Sequence, residues 1–179
     1  MCALHEQELK VWTEALSLPG YEVVHVEDEP GEGRRFSIVP VQTTALCPDC
    51  GRPCQSFRQK RWIENVVDLL LGGRPVRLKV RVFQYECEHC GRVWTEAPPI
   101  VAPGTWATCR LVERAAELVR HSDVANAAGF FGIPEKTLER WYYQYVERQK
   151  AAAEQTSRPI RSIGIDELSL KKNTASSSP

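Results

Sequence analysis

Apolar residues at Leu4, Leu9, Trp12 and Leu16 recur at close to helical spacing, and Pro19-Gly20 follows them. The pattern predicts one amphipathic helix that stops before the proline. YEVVHVEDEP and RRFSIVPV then read as two strands joined by the acidic, glycine-containing turn EDEPGEG. RWIENVV and PVRLKVRVFQY are two further strands, separated by LLLGGR. In the second of these, Val76, Leu78, Val80 and Val82 alternate with Arg77, Lys79 and Arg81. A period of two sets the apolar residues on one face and the three cations on the other. APPIVAPGTW is rich in proline and reads as a linker. From Thr105 to about Lys150 the period lengthens to that of helices. AAAEQTSRP reads as a second short connector, and RSIGIDELSL as a buried strand carrying Asp166 and Glu167. No internal repeat is present.

Within the helical stretch, Leu111, Val112, Ala115, Leu118 and Val119 form one stripe. Ser122 and Asp123 are placed to cap a short helix running to about Phe131. Gly132 makes the turn, Ile133 packs, and Pro134 suits the start of the next helix. Leu138, Trp141, Tyr142 and Tyr145 then recur at helical spacing and predict its buried side. The small Ala128 fits a close crossing of the two helices. This is the pattern of a helix-turn-helix, an arrangement that binds DNA in some proteins and only packs in others. Lys136, Thr137, Arg140 and Tyr143 fall near its exposed side, where the second helix reaches base edges and phosphates.

The chain has 7 cysteines, and four of them form two matched knuckles, CPDCG (Cys47, Cys50) and CEHCG (Cys87, Cys90). Two thiolates three positions apart face one ion if the backbone turns tightly between them. The glycine that follows each pair (Gly51, Gly91) permits the positive φ such a turn needs. Four thiolates complete tetrahedral zinc and leave no position for a substrate water, so the expected zinc is structural. Cys54 and His89 are the competing ligands; Cys2 and Cys109 are bystanders.

Charged residues make up 26% and hydrophobic residues 42% of the chain, the composition of a soluble globular protein. No apolar run has the length of a membrane span, and the N-terminus has no signal-peptide core, so the expected location is cytoplasmic, with no membrane partner. In that compartment the cysteines are read as metal ligands and not disulfides. The formal net charge of zero hides an asymmetry. Residues 1–46 hold three Lys/Arg against eight Asp/Glu, whereas residues 47–96 hold nine against six. The basic excess in the middle fits either a phosphate contact along Arg77, Lys79 and Arg81 or a solvated sheet face.

LPGYEVVHVE, CPDCG, RPVRLKVRVFQYECEHCGRVWTE, GIPEKTLERW and IGIDELSLKK, in this order, resemble one family. It is the group of bacterial insertion-sequence transposases (the ISL-three group) with a zinc finger, a helix-turn-helix and a DDE catalytic domain. The resemblance covers nearly the whole chain up to Lys172. It implies that IGIDE is the first strand of an RNase H-like domain and that Asp166 matches the first of three carboxylates. In the full-length family these hold two divalent ions, magnesium or manganese, for strand cleavage and transfer. No acidic residue follows Glu167, and NTASSSP does not continue the family pattern.

The expectation is therefore an α+β chain: a helix and β hairpin over 1–46, a zinc ribbon over 47–98 and a helix-turn-helix over 105–150. A remnant first catalytic strand over 160–172 and a disordered tail over 173–179 complete it. The resemblance implies a DNA-binding portion of a transposase that recognises terminal inverted repeats and lies with the nucleoid. A full-length transposase is its implied partner, and a homo-oligomer is compatible with it. On its own the chain is expected not to be an enzyme, with Asp166 inactive. The alternatives are a free-standing regulator of transposition and a zinc-ribbon module for protein interaction.

Overall fold

The structure, a computed structural model, describes residues 3–30 and 33–156. Its elements, in chain order, are α1 (Ala3–Leu16), β1 (Tyr21–Glu29), β2 (Gly33–Pro40), β3 (Ala45–Leu46), β4 (Pro53–Cys54), β5 (Phe57–Leu71), β6 (Arg74–Glu86), β7 (Val93–Thr95), α2 (Cys109–His121), α3 (Val124–Phe131) and α4 (Glu135–Thr156). The mixed α+β class follows from one five-stranded sheet, a two-stranded β3–β4 ribbon and these helices.

The two expected hairpins form. β1 pairs antiparallel with β2, and β5 with β6 across the turn at Gly72 and Gly73. Periodicity did not foretell how they join. β2 lies parallel to β6, with Arg34 opposite Val76 and Ile38 opposite Val80. The strand order is β1-β2-β6-β5, with β7 pairing to β6. One sheet thus runs through both the 1–46 and the 47–98 segments. The parallel pair begins tightly: a Cβ on Gly33 would stand 2.2 Å from the backbone oxygen of Pro75. Gly33 also has φ 104, so no other residue fits there without moving β6.

One face of the sheet is sealed by α1. Leu16, Phe36, Ile38, Val66, Val76, Leu78 and Val80 are buried together, with Leu9 and Trp12 of the helix packed against them. The Thr13 side chain ties helix to sheet by accepting from the Val23 backbone at 2.9 Å. β6 serves a second core with its other face. Phe83, Tyr85 and Cys87, two apart like the core-facing set but offset from it by one, pack with Ala45, Cys47 and Cys54.

The third core lies among α2, α3 and α4, around Leu111, Ala115, Ala127, Ala128, Ile133, Leu138 and Trp141. The expected stripe of α2 is its buried side, deepest at Leu111, Val112 and Ala115. Asp123 alone caps α3, accepting from the Asn126 backbone at 2.8 Å. Ser122 instead ends α2, its hydroxyl donating to the Leu118 carbonyl at 2.9 Å. α3 closes on Gly132 in the left-handed conformation.

One expected connector, and the described part of the other, are structured. In APPIVAPGTW, Ile100 and Ala102 are buried. Val67 of β5 donates to the Trp106 carbonyl at 2.8 Å and accepts from Thr108 at 2.9 Å, so the segment docks on the sheet edge. The prolines stop regular structure there but do not stop packing. AAAEQT continues α4 to Thr156, well past the expected end near Lys150, because three alanines with Glu and Gln are strong helix formers. Among the described residues no helix is long and apolar enough to cross a membrane.

Candidate metal centre and nucleic-acid surfaces

The two cysteine knuckles are built alike. Gly51 donates to the Cys47 carbonyl at 2.9 Å, and Gly91 to the Cys87 carbonyl at 2.8 Å. Cys47 and Cys87 in turn donate to the carbonyls of Arg52 and Arg92 at 2.9 and 2.8 Å. Both glycines have positive φ, 68° and 72°, as the tight turn requires. The β3–β4 ribbon holds the first knuckle, and the ends of β6 and β7 hold the second.

The four sulfurs converge. Cys47 Sγ stands 3.5 Å from Cys90 Sγ, and Cys50 Sγ 3.6 Å from Cys87 Sγ. All four lie within 4.8 Å of one another. Thiolates bound at about 2.3 Å around one tetrahedral ion stand about 3.8 Å apart, so the donor set fits a single ion. Backbone N–H groups of Cys90 and then His89 aim at Cys87 and hold its thiol down to about 6. Cys54 is buried beside the quartet without joining it, donating toward the Arg52 carbonyl at 3.6 Å. Burial pushes its thiol up to about 11. His89 is exposed and outside the group. Under the quartet, Phe57, Phe83, Tyr85 and Trp94 form a ladder of rings, with Trp94 stacked on Tyr85 at 5.5 Å.

The cation row stands on the β6 face opposite α1. Arg77, Lys79 and Arg81 are half-buried and alternate with Val76, Leu78, Val80 and Val82, which are buried. Arg35 of β2 is the register partner of Arg77 and adds a fourth cation to this face. The sequence reading missed it because only the parallel β2–β6 pairing brings it there. Lys79 forms an ion pair with Glu64 at 2.8 Å. The Arg81 guanidinium lies 3.8 Å from the centre of the Trp62 ring. The row is bracketed. Val67, the register partner of Arg77, packs against the helical core, and Phe83 at the other end packs under the cysteines.

On α4, Leu138 and Trp141 are buried, and Tyr145 packs against the same core. Tyr142 is half-buried. Lys136, Arg140 and Tyr143 are exposed, and Thr137 is half-buried near the helix start, its N–H donating to the Pro134 carbonyl at 2.9 Å. Positions 136, 140 and 143 share one helical face, away from Leu138 and Trp141.

One buried polar cluster has no signal in the local sequence pattern. The Asp68 carboxylate, fully buried on β5, accepts from Thr108 Oγ1 at 2.6 Å and from Arg110 Nε at 2.8 Å, and also from Arg110 Nη2. Arg110 Nη1 reaches on to the Leu16 carbonyl at 2.7 Å, at the end of α1. Thr108 caps α2. The cluster thus fastens α1, the sheet and the helical unit at one point.

Asp166, the expected strand over 160–172 and the tail over 173–179 lie outside the described residues. Among the described residues the cysteine quartet is the group of metal-ligating side chains that converge; no set of carboxylates does so.

The chain is similar to the transposase for insertion sequence element IS1001 of Bordetella parapertussis, with 27% identity over 158 residues. The match takes in 86% of this chain but only 37% of that protein's length. No family model and no solved structure matches the chain.

Proposed function

We propose that this chain is the DNA-recognition portion of an insertion-sequence transposase of the ISL-three group, and that it binds the terminal inverted repeats of its element. The observation that carries the reading is the match to a transposase over 158 residues. In this reading α3 and α4 act as a helix-turn-helix, with Lys136, Thr137, Arg140 and Tyr143 toward the DNA. Arg77, Lys79 and Arg81 meet phosphates, and Cys47, Cys50, Cys87 and Cys90 hold one structural zinc. The donor chemistry supports zinc: four thiolates in a closed site suit it and leave no position for catalysis. The ion's part is to fasten the ribbon that carries one end of β6.

The bulk of the relative lies beyond the matched region, so strand cleavage and transfer are assigned to the longer protein. Two-metal chemistry needs several carboxylates around the ions, and in this chain Asp166 is the position that matches such a ligand. The 179-residue polypeptide alone is proposed to bind DNA without cutting it. It would act beside a full-length copy, within the cytoplasm and on the nucleoid.

Gel retardation with duplexes bearing the element's ends tests this. Binding should be tighter on the ends than on scrambled duplex, and should weaken steeply as salt rises. With magnesium or manganese present the DNA should remain intact. Equal affinity for scrambled DNA would remove the inverted-repeat reading, and absence of any retardation would remove DNA binding altogether. Cleavage lost in Asp166→Ala would show that this polypeptide takes part in catalysis.

A further inference from the structure

The row of cations on β6 is interrupted by a carboxylate. β5 and β6 are in register from Phe57 to Leu71 except at three shifts, and one of these falls between Ile63 and Val66. There Asn65 takes the left-handed conformation, φ 59, which few non-glycine residues adopt. The bulge leaves Glu64 and Asn65 without register partners on β6, opposite Lys79. Such a bulge re-aims a side chain. Here the side chain is Glu64, and its Oε1 meets Lys79 Nζ at 2.8 Å. Both groups remain accessible, with 31% of the lysine side chain and 48% of the glutamate exposed. Beside them the Arg81 guanidinium sits over the Trp62 ring at 3.8 Å, and the Lys79 ammonium stands 5.5 Å from the same ring. Lys79 is thus held at the middle of the row, with an anion on it.

We infer that Glu64 occupies the seat of a DNA phosphate and acts as a built-in competitor for Lys79. The inference rests on the reading that this sheet face meets the DNA backbone. A carboxylate and a phosphate oxygen are alternative acceptors for one ammonium, and Lys79 has its acceptor before DNA arrives. When Lys79 meets a phosphate, the Glu64 carboxylate either gives up the ammonium or stays beside the backbone and repels it. The effect carries no sequence information, because phosphates are the same at every step. Glu64 therefore lowers affinity for all DNA alike. Because the loss is uniform it leaves the ratio of specific to random binding unchanged, and it shortens the time the chain is held on random DNA.

The test uses the full chain with its metal bound and a random-sequence duplex, titrated across a salt series. Glu64→Gln keeps the shape of the side chain and removes the charge. It should tighten binding by about two- to fivefold, the range expected for releasing an exposed ion pair. It should also steepen the slope of log K against log salt by about 0.9, one more phosphate neutralised. In a Lys79→Gln background the change in slope should vanish, and only the part of the tightening that comes from lifting charge repulsion should remain. If the whole gain persists there, Glu64 acts by its charge alone and the competition for Lys79 is wrong. If Glu64→Gln changes nothing while Arg81→Gln still weakens binding, the inference falls and the DNA reading of the face stands. If replacing Arg77, Lys79 and Arg81 together with Gln leaves binding and slope unaltered, the face does not meet DNA, and the reading beneath the inference falls with it.

Discussion

Asp68 is a carboxylate that folding has taken fully out of water, and its survival there depends on donors. A lone buried charge is costly; here Thr108 Oγ1 and two Arg110 nitrogens donate to it and offset that cost. Arg110 is the more revealing partner. It neutralises Asp68 and also donates to the carbonyls of Leu16, the last residue of α1, and of Ser17 just after it, where a cation is favourable against the helix end. Removing it strips a buried carboxylate of its counter-charge, so Arg110→Ala should cost about 3–5 kcal/mol in urea unfolding. Asp68→Asn puts an amide donor against the guanidinium and should also destabilise the fold. The double substitution should cost much less than the two singles summed, because neither partner is then left alone. Strict additivity would mean that the pair is incidental. None of this could be read from the sequence. Asp68 sits among leucines and valines in NVVDLLL, and its partners lie some 40 residues away.

At the scale of elements, what was legible was what is local. Alternation gave β6 its two faces, helical spacing gave α2 and α4 their buried stripes, and the knuckles announced four converging sulfurs. What was not legible was non-local. The parallel pairing of Arg34–Ile38 with Val76–Val80 has no signal in either strand, yet it sets Arg35 beside Arg77. The proline-rich segment looked like a linker because proline and glycine report on backbone conformation, not on whether Ile100 finds a core. β6 joins local and non-local: its first half packs on α1 and its last residues on the cysteines. That division predicts how metal loss would act. Elemental analysis should find about one zinc per chain, and Cys87→Ser should lose it. Since metal binding energy is folding energy for the ribbon, chelation should loosen the knuckle end first. Trp94 should then leave its stack on Tyr85, seen as a red shift in fluorescence, while the α1 core keeps its protection from hydrogen exchange. Full zinc retention in Cys87→Ser would reject the site.

For the molecule as a whole, two surfaces of different chemistry are joined through one short connection. The sheet face offers a row of cations; α4 offers Lys136 and Arg140 near its start, which the proposed reading sets toward base edges. The two are held together because Val67 hydrogen-bonds the segment leading into α2 and packs on the helical core, next to the Asp68 cluster. If both meet one duplex, their losses should differ in kind. Replacing Lys136 and Arg140 with alanine should cost about 1–3 kcal/mol per base contact on the element's ends and much less on scrambled DNA. Replacing Arg77, Lys79 and Arg81 with glutamine should weaken both duplexes equally and flatten the salt slope by about 2 to 3. The two effects should add, since the substituted groups share no partners. Asp68→Asn supplies the control for the joint: with every DNA-facing residue intact, it should lower discrimination more than it flattens the salt slope, because a loosened helical unit no longer sits in register with the phosphates the sheet holds. If instead the Lys136 and Arg140 variant keeps both affinities with its fold intact, only the sheet touches DNA, and α3 and α4 are then a packing unit for the sheet.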